Sequence, residues 1–386
     1  MAADTATHAT LADTVRHRFP VFENVTYVNS CSQGALSDAV RDAYEDYLSG
    51  LEREGSLWGH WVERQERVRV AMARLLNAPP AEVAITSSAS AGLSSLASAL
   101  DFSTGRHKVV TTDLEFPTAG QIWHAQEPRG AEVVHVASGP DHTIPLERFA
   151  EAIDDETAIV SLTHVCYRNG ARTDVEAVVA LAHERGALVL LDAYQSVGAL
   201  PLDVATLDVD FVIGGMLKYL LASPGVGFLY ARDQRTEKLV PTSTGWFAAR
   251  DIFAMSIDAY DPAPDARRFE AGTPPVPSLY AAAAGIELML EIGVAATAAH
   301  VETLTSQLRA GVAELGGQVV TPIDWHGPML AVASTDEHAH VAALEAEQIV
   351  VSSRDGNVRI SPHCYNNPED MDRVLAGLHR HRHLLR

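Results

Sequence analysis

Residues 209–230 read VDFVIGGMLKYLLASPGVGFLY. An apolar run, Phe211-Val212-Ile213, passes through Gly214-Gly215 to Lys218, and Tyr219-Leu220-Leu221 follow. The run predicts a buried strand, and the two glycines allow a close backbone approach. A lysine among residues that favour burial is costly unless it has a partner or reacts. Burial lowers its pKa and frees the amine to act as a nucleophile. Two readings stand at this point. In one, the ammonium snorkels back to water; in the other it forms a Schiff base. The chain has three lysines against 26 arginines. Lys108 and Lys238 sit in charged, turn-like surroundings (GRHK, RTEK), so Lys218 stands apart.

Working upstream, a repeated pattern of strand, Gly- or Ser-rich turn and helix begins near Glu82. EVAIT leads into SSASAGLSSLASAL, and HKVVTT into DLEFPTAGQIWHA. AEVVHVA precedes the helix LERFAEAI. TAIVSLTHV leads into CYRNGARTD and VEAVVALAHERG, and ALVLLDA into YQSVGALPLDV. Short apolar strands alternating with helices predict an open, mostly parallel sheet covered on both faces. Ligands in such sheets sit beyond the carboxyl ends of the strands. Ser87 to Ser90, Glu115, Phe116, His164, Asp192, Gln195 and Lys218 all fall there.

Ahead of that core, residues up to about Pro20 read as a polar arm with a short helix. Ser37 or Asp38 is placed to cap the next helix, which runs to about Gly50. An amphipathic helix follows, with Trp58 and Trp61 near its start. Beyond Ala231 the pattern gives way to loops, a long Ala-rich helix over about 278–292, a further helix to Leu315, and short strands of a smaller α+β domain. The expected division is 1–20 as an arm on the small domain, 21–280 as a large domain and 281–386 as a small one.

A chain of 386 residues, 47% hydrophobic and 20% charged, has the composition of a water-soluble globular protein with a large core. A formal charge of −21 argues against nucleic acid or an anionic membrane as the main partner. Cys31, Cys166 and Cys364 are few, odd in number and far apart. They make neither a disulfide framework nor a zinc motif, which fits a reducing cytoplasm. No apolar stretch reads as a signal peptide or a membrane span. His379, His381 and His383 in HRHRH read as a solvated helix end rather than a metal site.

Asp192 ends an otherwise apolar strand, so its carboxylate needs a partner. Alone it reads as a strand-end cap. Beside Lys218 it suits a different task, keeping a pyridine nitrogen protonated while the lysine binds an aldehyde; together the two fit pyridoxal phosphate. TSSAS, between a strand and a helix, offers amides and hydroxyls to a phosphate. Neither a GxxxxGK[ST] loop nor a GxGxxG fingerprint is present, which disfavours nucleotides and a nucleotide-dependent dehydrogenase.

Residues 192–232, DAYQSVGALPLDVATLDVDFVIGGMLKYLLASPGVGFLYAR, resemble the signature of class V pyridoxal-phosphate enzymes, the fold-type I branch of cysteine desulfurases, kynureninase and isopenicillin N epimerase-like proteins. TSSASAG, LEFPT, SLTHVCYRNGARTDV, RRFEAGTP and VRISPHCYNNPEDMD extend the likeness over most of the chain from about Tyr27. The resemblance implies an α/β fold with a seven-stranded, mostly parallel sheet and a homodimer. Lys218 would be the imine lysine and Asp192 the partner of the ring nitrogen. Gln195 and Tyr167 would lie near the ring hydroxyl, and Phe116 would stack on the ring. Ala89 and Ser90 would bind phosphate, and Thr273 would reach the phosphate held by the neighbouring subunit. Arg359 would grip a substrate carboxylate, a bidentate task suited to a guanidinium. Asn29 and Trp58 are assigned to the substrate; Trp58, His60 and Trp61 read either as lining its mouth or as core packing.

The departures from the pattern bear on the reaction. Desulfurases carry histidine where Phe116 stands, and serine and histidine where Gly215 and Leu217 stand. Their reactive cysteine precedes the carboxylate-binding arginine, and EQIVVSSRDGN has none. Persulfide-based desulfuration is therefore disfavoured, and Cys364 reads as packing. Phe116 with Gly245-Trp246-Phe247 leans toward the kynureninase and epimerase-like side, although kynureninase has histidine where Gln195 stands. The expected activity is α-proton removal from a free α-amino acid bound as a Schiff base, followed by lyase-type elimination. Transamination, epimerisation and a non-catalytic cofactor-binding protein are the alternatives.

Overall fold

The computed structural model describes residues 10–386. Twelve strands are numbered here in chain order: β1 Thr26–Tyr27, β2 Val83–Thr86, β3 Lys108–Thr112, β4 Glu132–Val136, β5 Thr157–Thr163, β6 Leu188–Asp192, β7 Phe211–Gly215, β8 Gly227–Ala231, β9 Leu330–Ala333, β10 Ile349–Val350, β11 Ser352–Arg354 and β12 Asn357–Ile360. The main sheet has seven strands in the order β2-β8-β7-β6-β5-β3-β4, and only β8 runs against the rest. The parallel strands are apolar because helices cover both faces. One face packs Val110, Val160, Leu191, Val212 and Phe228 against helices that include Val68, Met72 and Val178. The other packs Val109, Ile159, Leu190, Ile213 and Leu229 against Leu93, Leu96 and Trp123. Each such side chain fully buried contributes roughly 1.5–3 kcal/mol.

The antiparallel strand β8 follows from local sequence. After β7 the chain needs a reversal, and Ser223-Pro224-Gly225 supplies it, with Gly225 at φ +91°. Gly227 then lets β8 lie against the start of the helix Ala89–Ala99. A Cβ at Gly227 would stand 2.7 Å from the Ala89 nitrogen.

Helix ends match their signals. Ser37 accepts from the Val40 amide (3.2 Å) and caps Asp38–Glu54. The Ala-rich helix Val276–Ile292 crosses the expected domain division at 280/281. Leu279, Ala282, Ala283 and Ile286 belong to the main core, so the change of core falls near Gly293. The helix Val294–Glu314 then contributes Leu304, Leu308 and Val312 to a second core with β9, β10 and β12. Those C-terminal strands form the antiparallel set β11-β12-β9, and β10 pairs in parallel with β1. QVVTP, expected as a strand, makes only an isolated bridge, Val319 to Val332, because Pro322 soon ends any ladder.

Residues 1–9 of the expected arm lie outside the described residues. Arg16 pairs with Asp370 (2.6 Å), and Val15 and Phe19 pack with Cys364 and Tyr365. Among the described residues no single helix is long and apolar enough to cross a membrane. No group of three or more metal-ligating side chains occurs there, and His381 instead bonds Glu347 (2.8 Å).

Candidate active site

The carboxyl ends of β5, β6 and β7 and the turn after β2 surround a cavity of about 340 Å³. Its wall includes Ser32, Ser88, Ala89, Ser90, Phe116, Thr118, Tyr167, Asp192, Tyr194, Gln195 and Lys218. Asp192 and Lys218 therefore face the same space. Pairing of Asp192 with Ile213 across β6 and β7 puts the carboxylate beside the strand that leads to the lysine.

Lys218 is held by its backbone. The Gly34 amide donates to the Leu217 carbonyl (2.8 Å), the Leu221 amide to the Lys218 carbonyl (3.1 Å), and His363 Nε2 bonds the Tyr219 carbonyl (3.0 Å). Burial lowers the lysine's pKa to about 8; Cys31 and Asp192 pull it upward, and Arg359 pushes it down. The amine thus has a substantial neutral fraction near physiological pH. Its Nζ stands 4.4 Å from the centre of the Tyr194 ring.

Burial raises the Asp192 pKa against a hydrogen bond from the Tyr194 amide (2.8 Å) and the charge of Lys218. Behind Asp192 lie two further buried groups. His164 donates its backbone amide to the Asp192 carbonyl (2.9 Å), and its Nδ1 meets Ser196 Oγ (2.9 Å). Burial, then the charge of Arg172, lower its pKa to about 4, so the imidazole is neutral. Glu115 Oε1 accepts from Thr112 Oγ1 (3.0 Å) and the Thr163 amide (2.6 Å), while its Oε2 has no partner. Burial and the nearby Asp192 charge raise the Glu115 pKa well above the carboxylate range.

At the other end of the cavity the helix Ala89–Ala99 begins. Ser88 caps it through the Ala91 amide (3.0 Å), and Ala89 and Ser90 line the wall at its positive end. Phe116 lies 45% exposed over the cavity, edge-on to Tyr167 at 4.9 Å between ring centres. Gln195 donates Nε2 to the Cys31 carbonyl (3.1 Å) and leaves Oε1 buried without a partner.

Arg359 lies just behind the wall, 4% exposed. It donates to the Tyr167 carbonyl (2.7 Å), Ser352 Oγ (3.0 Å) and Ser32 Oγ (3.3 Å), and Nε has no partner. Among the described residues it makes no ion pair. A buried guanidinium without an anion is expensive and suits a ligand that brings one.

Asn29, Trp58, His60, Trp61 and Thr273 are not brought to this wall. Asn29 accepts from the Cys31 thiol (3.8 Å), and its backbone bridges Ser361. Trp58 packs edge-on to Trp61 and Trp246 at the head of its helix. Thr273 lies in a separate cleft with Thr86, Ser87 and Glu270. His60 sits in another, beside Asp46 and Arg64. The wall also holds residues that the sequence did not single out, chiefly Ser32, Thr118 and Tyr194. Tyr194 had a usable signal: it stands two residues after Asp192.

The residues fit pyridoxal phosphate. An acid with a single protein donor can face a ring NH, the orphaned Gln195 oxygen and an amine line the same space, and open helix amides lie at one end. The family model of class V aminotransferases matches residues 30–374, and the chain belongs to that family. Pyridoxal phosphate is its cofactor, and the chain is an enzyme of this family. It is 37% identical to an uncharacterised aminotransferase of Bacillus subtilis over 95% of this chain and 96% of that one. It is 32% identical to the kynureninase of Pseudomonas fluorescens, over 73% and 69% respectively. Among solved structures, a cysteine desulfurase of Thermococcus onnurineus superposes with a TM-score of 0.87 at 23% identity, covering 97% of this chain and 98% of that one. A variant of C-DES with glycine linked to its pyridoxal-phosphate cofactor gives 0.87 at 23%, covering 94% and 98%.

Proposed function

We propose that this enzyme removes the α-proton of a free α-amino acid and goes on to eliminate or replace a side-chain group. The observation that carries the reading is one cavity shared by Lys218 and Asp192, with the unpaired Arg359 at its back. Bound there, the cofactor supplies an aldehyde that condenses with amines and a cationic ring that accepts electron density. Lys218 anchors the aldehyde. Its Nζ would be placed to take the α-proton of a bound amino acid. Asp192 would hold the proton of the ring nitrogen, with the Glu115 carboxyl behind it raised in pKa by burial and by the Asp192 charge. Arg359 receives the substrate carboxylate as a fork, displacing its bonds to the serine hydroxyls. Phe116 would cover one face of the ring and cannot carry a proton, so the base is assigned to Lys218. Gln195 and Tyr167 lie toward the ring hydroxyl, and Ala89 and Ser90 toward the phosphate.

We further assign a homodimer. Phe253, Met255 and Ile257 are 60%, 63% and 95% exposed in one short segment, an apolar surface suited to burial by a second copy. Thr273, outside its own subunit's cavity, is then available to the neighbour's phosphate. All three cysteines are free and buried, which suits a reducing cytoplasm.

The activities for which the relatives are named favour two outcomes. Kynureninase and the cystine C–S lyase C-DES accord with cleavage of the side chain, and the Bacillus subtilis relative with nitrogen transfer. A panel of amino acids separates them. Ammonia and a keto acid released without an acceptor mark elimination, and a different amino acid formed without an acceptor marks cleavage or replacement of the side chain. Keto acid formed only with an added keto-acid acceptor marks a transferase. Loss of optical activity without either product marks an epimerase, and no turnover of any amino acid sinks the reading.

A further inference from the structure

The two glycines before Lys218 differ in what surrounds them. A Cβ at Gly215 would stand 2.1 Å from both Cζ and Oη of Tyr194. The phenol head therefore fills the place where a side chain at 215 would project. Gly215 is directly opposite Gly227 across β7 and β8. Directly opposed residues project to the same face of a sheet, about 5 Å apart. On that face a Cβ at Gly227 would meet the Ala89 nitrogen at 2.7 Å. The Tyr194 hydroxyl and the first amide of the helix Ala89–Ala99 thus lie over the same face of the β7–β8 pair, at one corner of the cavity that both residues line.

Tyr194 is fixed there. Its backbone amide bonds Asp192 Oδ1 (2.8 Å), and the lysine's Nζ rests on its ring at 4.4 Å. Its hydroxyl makes no hydrogen bond among the described residues, although the cavity wall includes the residue. We propose that the Tyr194 phenol donates a hydrogen bond to the cofactor's phosphate, supplying from the β6 turn the hydroxyl that Gly215 lacks, opposite the amides of Ala89 and Ser90. The inference rests on the cofactor assigned above. Burial, then the Asp192 charge, raise the phenol's pKa to about 12, so it is a donor throughout the working range. Tyr194 and Gly215 are a matched pair: any side chain at 215 would evict the ring.

The test compares two aldehydes on cofactor-free protein, pyridoxal phosphate and pyridoxal, by fluorescence titration at equilibrium. For Tyr194→Phe the expected result is about tenfold weaker binding of pyridoxal phosphate, with pyridoxal unchanged within about twofold, as removal of one charge-assisted hydrogen bond requires. Tyr194→Ala combined with Gly215→Ser returns a hydroxyl to the same corner. It is expected to recover at least half of the lost phosphate preference, in logarithmic terms, relative to Tyr194→Ala alone. Equal loss for both aldehydes, or no loss for either, overturns the assignment. A wild-type protein that binds neither aldehyde would remove the cofactor itself, an outcome distinct from a variant that binds both as the wild type does.

Discussion

Two buried charged centres, one beside β2 and one beyond the end of β7, are built in opposite ways. Under β2, Arg69 and Glu270 are each 3% exposed and paired at 2.6 Å. Glu270 also accepts from the Ile85 amide (2.8 Å) and Gln65 Nε2 (2.8 Å), and Arg69 reaches Glu66 as well. Around Lys218 the charges are near one another but unsatisfied. Arg359 has no carboxylate, Asp192 has one amide, and Glu115 and Gln195 each leave an oxygen orphaned. A network whose charges are paired fixes a loop, here the one that carries Thr273, even though Gln65 Oε1 is left without a partner. One whose charges are unpaired stores binding capacity for a ligand with complementary charges.

That contrast can be broken by substitution. Lys218→Ala is expected to lower turnover by about 10³-fold or more, since it removes both anchor and base. Borohydride should then no longer fix the cofactor to the protein, as read by intact mass. Turnover within tenfold of wild type would show that another group does the chemistry. Glu270→Ala is expected to cost about 3–5 kcal/mol in urea unfolding, because it strands a buried guanidinium. A loss under about 1 kcal/mol would mean that the pair adds little to the fold. Arg359→Lys should raise KM by about tenfold for amino acids, with kcat less affected, because an ammonium cannot replace the fork. Binding of amines that lack a carboxylate should not change; an equal loss for these would place the arginine elsewhere in the reaction.

The smallest effect tests the sign of the lysine's environment. The folded chain binds the Lys218 proton less tightly than the unfolded chain does, with a pKa lowered to about 8. The resulting destabilisation is full below pH 8 and disappears above the ordinary lysine value. Lys218→Met should therefore raise the melting temperature of the cofactor-free protein at pH 7, by about 1–2 °C. The gain should shrink toward pH 10, and one that grows with pH would contradict the assignment. In the Arg69 centre, by contrast, removing a charge can only destabilise.

The sheet was legible because its strands are short apolar runs set off by turn residues, and Lys218 because so few lysines exist to compete with it. Asp192 was readable from its place at the end of ALVLLD. Less could be read where the information lies in contacts between distant segments. The antiparallel turn of β8 depends on Gly227 meeting the start of a helix some 140 residues earlier in the sequence. Tyr194 fills a space defined by Gly215, a relation that no local pattern displays. Trp58 carried the composition of a ligand-binding residue, yet two other tryptophans claim its ring. Arg359 was found through a motif, but its lack of an ion pair among the described residues is a property of packing alone.

The segment from Thr26 to Gly34 ties the two bodies together. It begins in β1 against Ile349 and Val350, bridges Ser361 at Asn29, and ends with Gly34 so close to the lysine loop that a Cβ there would stand 2.2 Å from the Lys218 carbonyl. Arg359 lies two residues before Ser361 on the same strand end. The segment thus links the strand that carries Arg359 to the loop that carries Lys218. A displacement of β10 or β12 would reach the lysine loop through it as well as moving the guanidinium.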